Sequence, residues 1–115
     1  MDFRAKKYKI MDKGISKTIK RYIDSVAKQQ SGLISAFIFG SYARNEQRAE
    51  SDIDIALVID GLSDNERFNT QVRLMLLASK IDNRIEPHPI SKHDLNSNNP
   101  FAVEIRKTGI ELKVK

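Results

Sequence analysis

Apolar positions recur along this chain at two spacings, and the alternation between them lays out its elements. From residue 14 to 30, Ile15, Ile19, Tyr22, Ile23 and Val26 return every three or four residues, with Lys17, Lys20, Arg21 and Lys28 elsewhere around the turn. That spacing predicts an amphipathic helix, and Gly32 suits its stop. Leu33 to Phe39 is nearly all apolar, as expected of a strand covered on both faces. Ser51 to Asp60 predicts a second strand, ended by Gly61. Ser63 and Glu66 have the spacing of a capping box. The helix they open should run to about Lys80, with the stripe Phe68, Val72, Met75 and Leu76 packing on the sheet. Arg84 to Ile90 predicts a third strand. Pro87 and Pro89 cannot donate to a ladder, so this strand should lie at an edge or end early. Asn99-Pro100 is a helix start, Phe101 and Ile105 share its face, and Gly109 stops it. Ile110 to Val114 predicts a last short strand, and His93 is expected in a loop.

The order is helix, strand, strand, helix, strand, helix, strand. The two strands flanking the 63–80 helix should be parallel, joined by a right-handed crossover. The fold class expected is α+β: a small mixed sheet with helices packed mainly on one face. The 115 residues argue for one domain, placed at 14–115 after a basic N-terminal arm at 1–13.

Composition narrows the class. Hydrophobic content of 40% and charged content of 30% fit an ordinary globular protein. No cysteine is present, which removes disulfides and thiolate metal sites. No apolar run approaches the roughly 20 residues a membrane span needs, and residues 1–7 lack the apolar core of a signal peptide; a cytoplasmic location is expected. The net charge of +5 is uneven. Residues 1–30 hold nine Lys or Arg against three Asp, and residues 31–115 hold eleven against twelve acids. The basic arm and first helix are a surface for RNA or an acidic partner, or simply a solvated face, the commoner case.

The chemistry concentrates between the first two strands. Gly40 ends a strand, can take positive φ, and lets a phosphate approach the backbone. Ser41 then opens a short helical turn through Tyr42, Ala43 and Arg44, whose free N–H groups and Ser41 hydroxyl make an anion site. Arg44 would pair with phosphate or with a nearby carboxylate. Asp52 and Asp54 lie two residues apart in a strand, so both point to one face, about 7 Å apart along the chain. Aspartate is depleted in strands, and two like charges on one face favour a bound cation. Hard oxygen ligands suit Mg²⁺ or Mn²⁺. Glu86, in the third strand, is the candidate third carboxylate. His88 is expected on the same face, more in a supporting role than as a ligand, since imidazole suits this kind of ion less well. The plain alternatives are a strand-to-helix turn at Gly40-Ser41, a solvent-facing Asp54, and an edge-strand Glu86 paired with Arg84.

Gly40-Ser41-Tyr42-Ala43-Arg44, Ser51-Asp52-Ile53-Asp54, Arg84-Ile85-Glu86-Pro87-His88-Pro89 and Asn99-Pro100-Phe101 together resemble the minimal nucleotidyltransferases of the DNA polymerase beta-like superfamily, over residues 33–113. The family often has Gly where this chain has Asn45, a residue that tolerates the left-handed conformation, and Asp where it has Glu86. The resemblance implies a palm-like nucleotidyltransferase fold. It implies that Asp52, Asp54 and Glu86 hold two divalent ions (Mg²⁺, or Mn²⁺) and carry catalysis, and that Gly40, Ser41 and Arg44 bind the triphosphate of ATP. It further implies that the acceptor is presented by another molecule: a HEPN-type RNase toxin whose tyrosine receives AMP, which would make this chain an antitoxin in a homo- or hetero-oligomer. Two other readings stand beside it: neutralisation of a partner by contact alone, and transfer to a small-molecule hydroxyl.

Overall fold

The computed structural model describes residues 13–112 and 114. The first helix, α1, spans Lys13–Gln29. It leads into β1, Leu33–Phe39, and β2, Ile53–Ile59. Helix α2 covers Asp64–Ser79 and returns the chain to β3, Ile85–Ser91. A four-residue helix α3, Lys92–Leu95, follows directly; it contains His93, where a loop was expected. Helix α4, Pro100–Thr108, and strand β4, Ile110–Leu112, complete the described chain. The basic arm expected at 1–13 lies outside the described residues apart from Lys13, which begins α1.

The four strands form one mixed sheet in the order β3-β2-β1-β4. β1 runs antiparallel to β2 and to β4, and β2 runs parallel to β3, as expected for strands joined through α2. β3 lies at an edge, and its prolines explain why. The Ile53 amide donates to the Arg84 carbonyl, so by alternation positions 84, 86 and 88 turn their backbone groups toward β2. Pro87 and Pro89 then present their missing N–H to the open edge, where no ladder bond is lost.

Strand alternation sorts the side chains into two layers. Ile53, Ile55, Leu57 and Ile59 of β2 join Ala36, Ile38 and Ile85 beneath α1 and α2. Ala56 and Val58 turn the other way and meet Phe39, Ile90, Ala102 and Ile105, the last two from α4. The two long helices thus cover one face, and short α4 covers part of the other. Tyr22 is fully buried, and its hydroxyl donates to the Leu74 carbonyl at 2.9 Å, tying α1 to α2. That burial raises the Tyr22 pKa.

The rotation of α2 differs from the one its apolar stripe suggests. Thr70, Leu74 and Ala78 face the sheet. Phe68, Val72, Met75 and Leu76 are 74%, 40%, 52% and 59% exposed. Three polar contacts fix that rotation besides the packing of Leu74 and Ala78. The Leu74 carbonyl accepts from Tyr22, Gln71 Nε2 donates to the Pro87 carbonyl at 2.8 Å, and Arg67 reaches Asp94 at 2.8 Å.

Candidate active site

Asp54 sits on β2 opposite Glu86 of parallel β3, and opposite Phe39 of antiparallel β1. Because Asp54, Glu86 and His88 share the parity of Ala56, Val58 and Ile90, they project from the face that carries α4, beyond the end of that helix's apolar layer. One ligand atom from each of the three lies within 4.8 Å of the others. With its proton on Nε2, His88 donates to Asp54 Oδ1 at 3.2 Å; Glu86 Oε1 is 3.6 Å from the same nitrogen.

The imidazole is held in place by aromatic edges. Its ring centroid lies 5.0 Å from that of Phe39, in an edge-to-face contact, and 5.7 Å from that of Phe101. Phe39 and Phe101 also meet edge to face at 5.2 Å. This aromatic wall was not foreseen in the sequence, since Phe39 reads there as one more residue of an apolar strand. Its only trace is the placement of Phe39 immediately before Gly40. His88, expected in a supporting role on this face, reaches both carboxylates and hydrogen-bonds Asp54, a contact such a role can use.

Asp52 is exposed and precedes β2 by one residue. It lies outside the three-residue cluster but beside Glu86. The Glu86 pKa is raised, first by the loss of water around its carboxyl, then by a hydrogen bond with Asp52 and the negative charges of Asp54 and Asp52; His88 opposes the shift. Each of these causes except the last disfavours a charged Glu86. A divalent cation would reverse that penalty. The donor set of three carboxylates and one imidazole, with two acids and the imidazole already convergent, fits such an ion.

The Gly40 turn closes against these acids. Gly40 has φ +73°, and a Cβ added there would overlap Asp54 Oδ2. Only glycine meets both demands, the left-handed backbone and the contact with Asp54. One helical turn follows: the Arg44 amide donates to the Gly40 carbonyl at 3.1 Å, and the Glu46 amide to Ser41 at 2.9 Å. The amides of Ser41, Tyr42 and Ala43 start that turn and have no carbonyl one turn earlier within it, the arrangement that suits an anion. Asn45 takes φ +59°, as expected of a residue standing where the similar sequences have Gly. Arg44 is bound to carboxylates, with Nε 3.0 Å from Glu46 and a terminal nitrogen 3.5 Å from Glu104 of α4. The structure therefore brings Gly40, Asp54, Glu86 and His88 together, with Asp52 beside Glu86 and Ser41 at the head of the turn. Arg44 it directs to α4.

A second clamp positions β3. Asp82 accepts from the Arg84 amide at 2.9 Å and from two nitrogens of its guanidinium at 3.1 and 2.7 Å. Arg84 also donates to the Ala49 carbonyl at 3.3 Å. The start of β3, which delivers Glu86, is thereby tied to the loop that delivers Asp52. The sequence offers Arg84 as a partner for Glu86; the structure pairs it with Asp82.

A four-stranded mixed sheet, a Gly-Ser turn closing on a strand carboxylate, and acids from two adjacent strands define a nucleotidyltransferase domain. The chain belongs to the family described as polymerase beta, nucleotidyltransferase, whose sequence profile matches residues 21–115. A search of curated proteins finds no match. Among solved structures, a Sulfolobus solfataricus protein described as a candidate nucleotidyltransferase is similar at 28% identity and a TM-score of 0.56, over 68% of each chain. A toxin–antitoxin structure, MntA-HpeT, is similar at 18% identity and a TM-score of 0.57, over 84% of this chain and 73% of that one. A toxin–antitoxin structure with AMP-PNP is similar at 23% identity and a TM-score of 0.56, over 86% and 73%. The last two speak to the fold. Within the described residues no helix is long and apolar enough to cross a membrane.

Proposed function

We propose that this chain transfers AMP from ATP to a hydroxyl of a partner protein, a tyrosine of a HEPN-type RNase toxin, and so acts as its antitoxin. The observation that carries the reading is the shared rung of Asp54 and Glu86, with Asp52 beside Glu86 and the Gly40 turn closing on Asp54. Asp52, Asp54 and Glu86 hold divalent ions, with Mg²⁺ the expected metal, and His88 assists at Asp54. When bound, the ions neutralise the triphosphate and the charge that builds on it during transfer.

The chain's own groups do the rest. The amides of the Ser41–Ala43 turn and the Ser41 hydroxyl seat the phosphates beside Asp54. Glu86 orients the acceptor hydroxyl and takes its proton. The acceptor oxygen bonds to the α-phosphorus, the bond from that phosphorus to the α–β bridging oxygen breaks, and pyrophosphate leaves. Arg44 completes the phosphate site by exchanging Glu46 and Glu104 for the triphosphate. The toxin reading is supported by the resemblance of the motifs and by the two toxin–antitoxin structures that share the fold, one of them with an ATP analogue. The basic residues of the N-terminal arm offer a contact for the RNA that such a toxin handles.

Intact mass spectrometry of the partner, after incubation with this chain, ATP and Mg²⁺, tests the proposal. AMP-sized additions that vanish with Asp52→Ala/Asp54→Ala are expected. Neutralisation that survives that variant without added mass would establish a contact-only antitoxin. Turnover on small hydroxyl compounds with no protein partner would establish the third reading.

A further inference from the structure

Four of the five exposed large apolar side chains among the described residues lie on one face of α2. Three of them belong to a single row. Positions 64, 68, 72, 76 and 80 are four apart, so Asp64, Phe68, Val72, Leu76 and Lys80 form one i, i+4 ridge. It reads acid, apolar, apolar, apolar, base. Asn65, Asn69, Met75 and Ser79 flank it, and the one charge beside its centre, Arg73, is turned toward Gln30 and Thr70. Covering such a face would remove apolar surface from water, which makes it a candidate contact surface.

We propose that this ridge is a homodimer interface in which α2 packs antiparallel against α2 of a second copy, about a twofold axis at Val72. The ridge is its own complement. An antiparallel copy centred on Val72 sets Phe68 against Leu76 of the second copy, Val72 against Val72, and Asp64 against Lys80, twice over. A parallel copy would set acid against acid and base against base. An isologous contact needs this self-matching of one patch, and row-into-row packing of i±4 ridges is the commonest way two helices meet. The antiparallel arrangement also opposes the two helix dipoles.

The interface is small. Sixteen residues make a strip about 24 Å long and about 10 Å wide, below the roughly 800 Å² per partner of a standard interface. The dimer should therefore be weak, visible as a concentration dependence. The ridge lies over the sheet face opposite Asp54 and Glu86, so both sites stay open in the dimer, and the inference stands or falls separately from the proposed transfer.

Sedimentation of the full chain across a concentration series gives the first readout. A monomer–dimer equilibrium is expected, lost in Leu76→Glu, which sets a carboxylate against Phe68 of the second copy. Leu76 is exposed, so that variant should keep its circular dichroism and melting temperature. The chain lacks cysteine, so Val72→Cys carries a lone thiol on the proposed axis. It should link into a covalent dimer with a short bis-maleimide, whereas Lys28→Cys on α1 should not. Asp64→Lys and Lys80→Asp should each weaken the dimer several-fold, and the double swap should restore it. A monomer at every concentration, or a dimer indifferent to Leu76→Glu, would overturn the proposal. So would a dimer formed only after residues 1–12 are removed, which would make that segment the occupant. Protection of a Val72→Cys thiol only on addition of a toxin partner would assign the ridge to the toxin instead.

Discussion

Asp54 and Glu86 occupy the same rung of the parallel β2–β3 ladder and point to the same face of the sheet. Two acids fixed side by side repel, and nothing in the backbone lets either turn away. The sheet therefore holds a charge pair whose natural relief is a cation, and the first two predictions follow from that relation.

Asp54→Asn should remove about 10²–10³-fold or more of the transfer rate, the scale expected when a group that positions charge in the transition state is lost. Without divalent ions it should not lower the melting temperature, because it relieves the repulsion with Glu86. Mg²⁺ should raise the melting temperature of the unmodified chain, as any ligand that binds only the folded state does, and should have much less effect on Asp54→Asn. Scanning calorimetry with and without Mg²⁺ reads both effects.

The Glu86 pKa is raised in the folded chain. Its contribution to stability is therefore greatest below the unfolded glutamate value of about 4.3 and is lost as pH rises through the folded value. In chelator, Glu86→Gln should remove that part of the pH dependence, so the variant gains on the unmodified chain as pH rises past the folded value. Added Mg²⁺ should shrink the difference. Urea unfolding from pH 4 to 8 checks this.

Asp82 shows the opposite sign. Hydrogen bonds from Arg84 lower its pKa, so its stabilisation is present above about pH 3.9 and is lost as pH falls through its lower folded value. Asp82→Asn should cost about 1–3 kcal/mol at neutral pH, measured by urea unfolding. It should also slow transfer, because Arg84 ties the strand bearing Glu86 to the loop bearing Asp52. Asp82→Glu should recover part of the rate.

Gly40→Ala must force both the left-handed backbone and the Asp54 carboxylate. A loss of at least about 1 kcal/mol is expected from the backbone alone, with a larger fall in transfer rate than stability explains, since Asp54 has to move. Unfolding and initial rates measured together separate the two effects.

Much of this was legible in the sequence because local chemistry and tertiary need agree there. Pro87 and Pro89 announce an edge strand, Gly40 a left-handed turn, and Asp52-Ile53-Asp54 a charged start to an otherwise apolar strand. The rotation of α2 was not legible. Phe68, Val72, Met75 and Leu76 form the larger apolar stripe, and periodicity gives the stripe without saying what covers it. The inner face was instead decided by Thr70, Leu74 and Ala78, and by partners of Tyr22, Gln71 and Arg67 that are distant in sequence. The aromatic wall around His88 was hidden for the same reason: Phe39 and Phe101 meet only after α4 folds across the sheet. Arg44 could be placed near the site, but its pairing with Glu104 depends on that same crossing.

Nucleotidyl transfer at the Asp54–Glu86 rung would leave the α-phosphate of ATP, and not the γ-phosphate, on the acceptor. The chain would be incubated with the proposed HEPN-type partner, Mg²⁺, and ATP carrying radioactive phosphorus at either the α or the γ position. Label on the partner from α-labelled ATP only, absent with Asp54→Asn, is the predicted result. Label from γ-labelled ATP, or α-label that persists with Asp54→Asn, would contradict it.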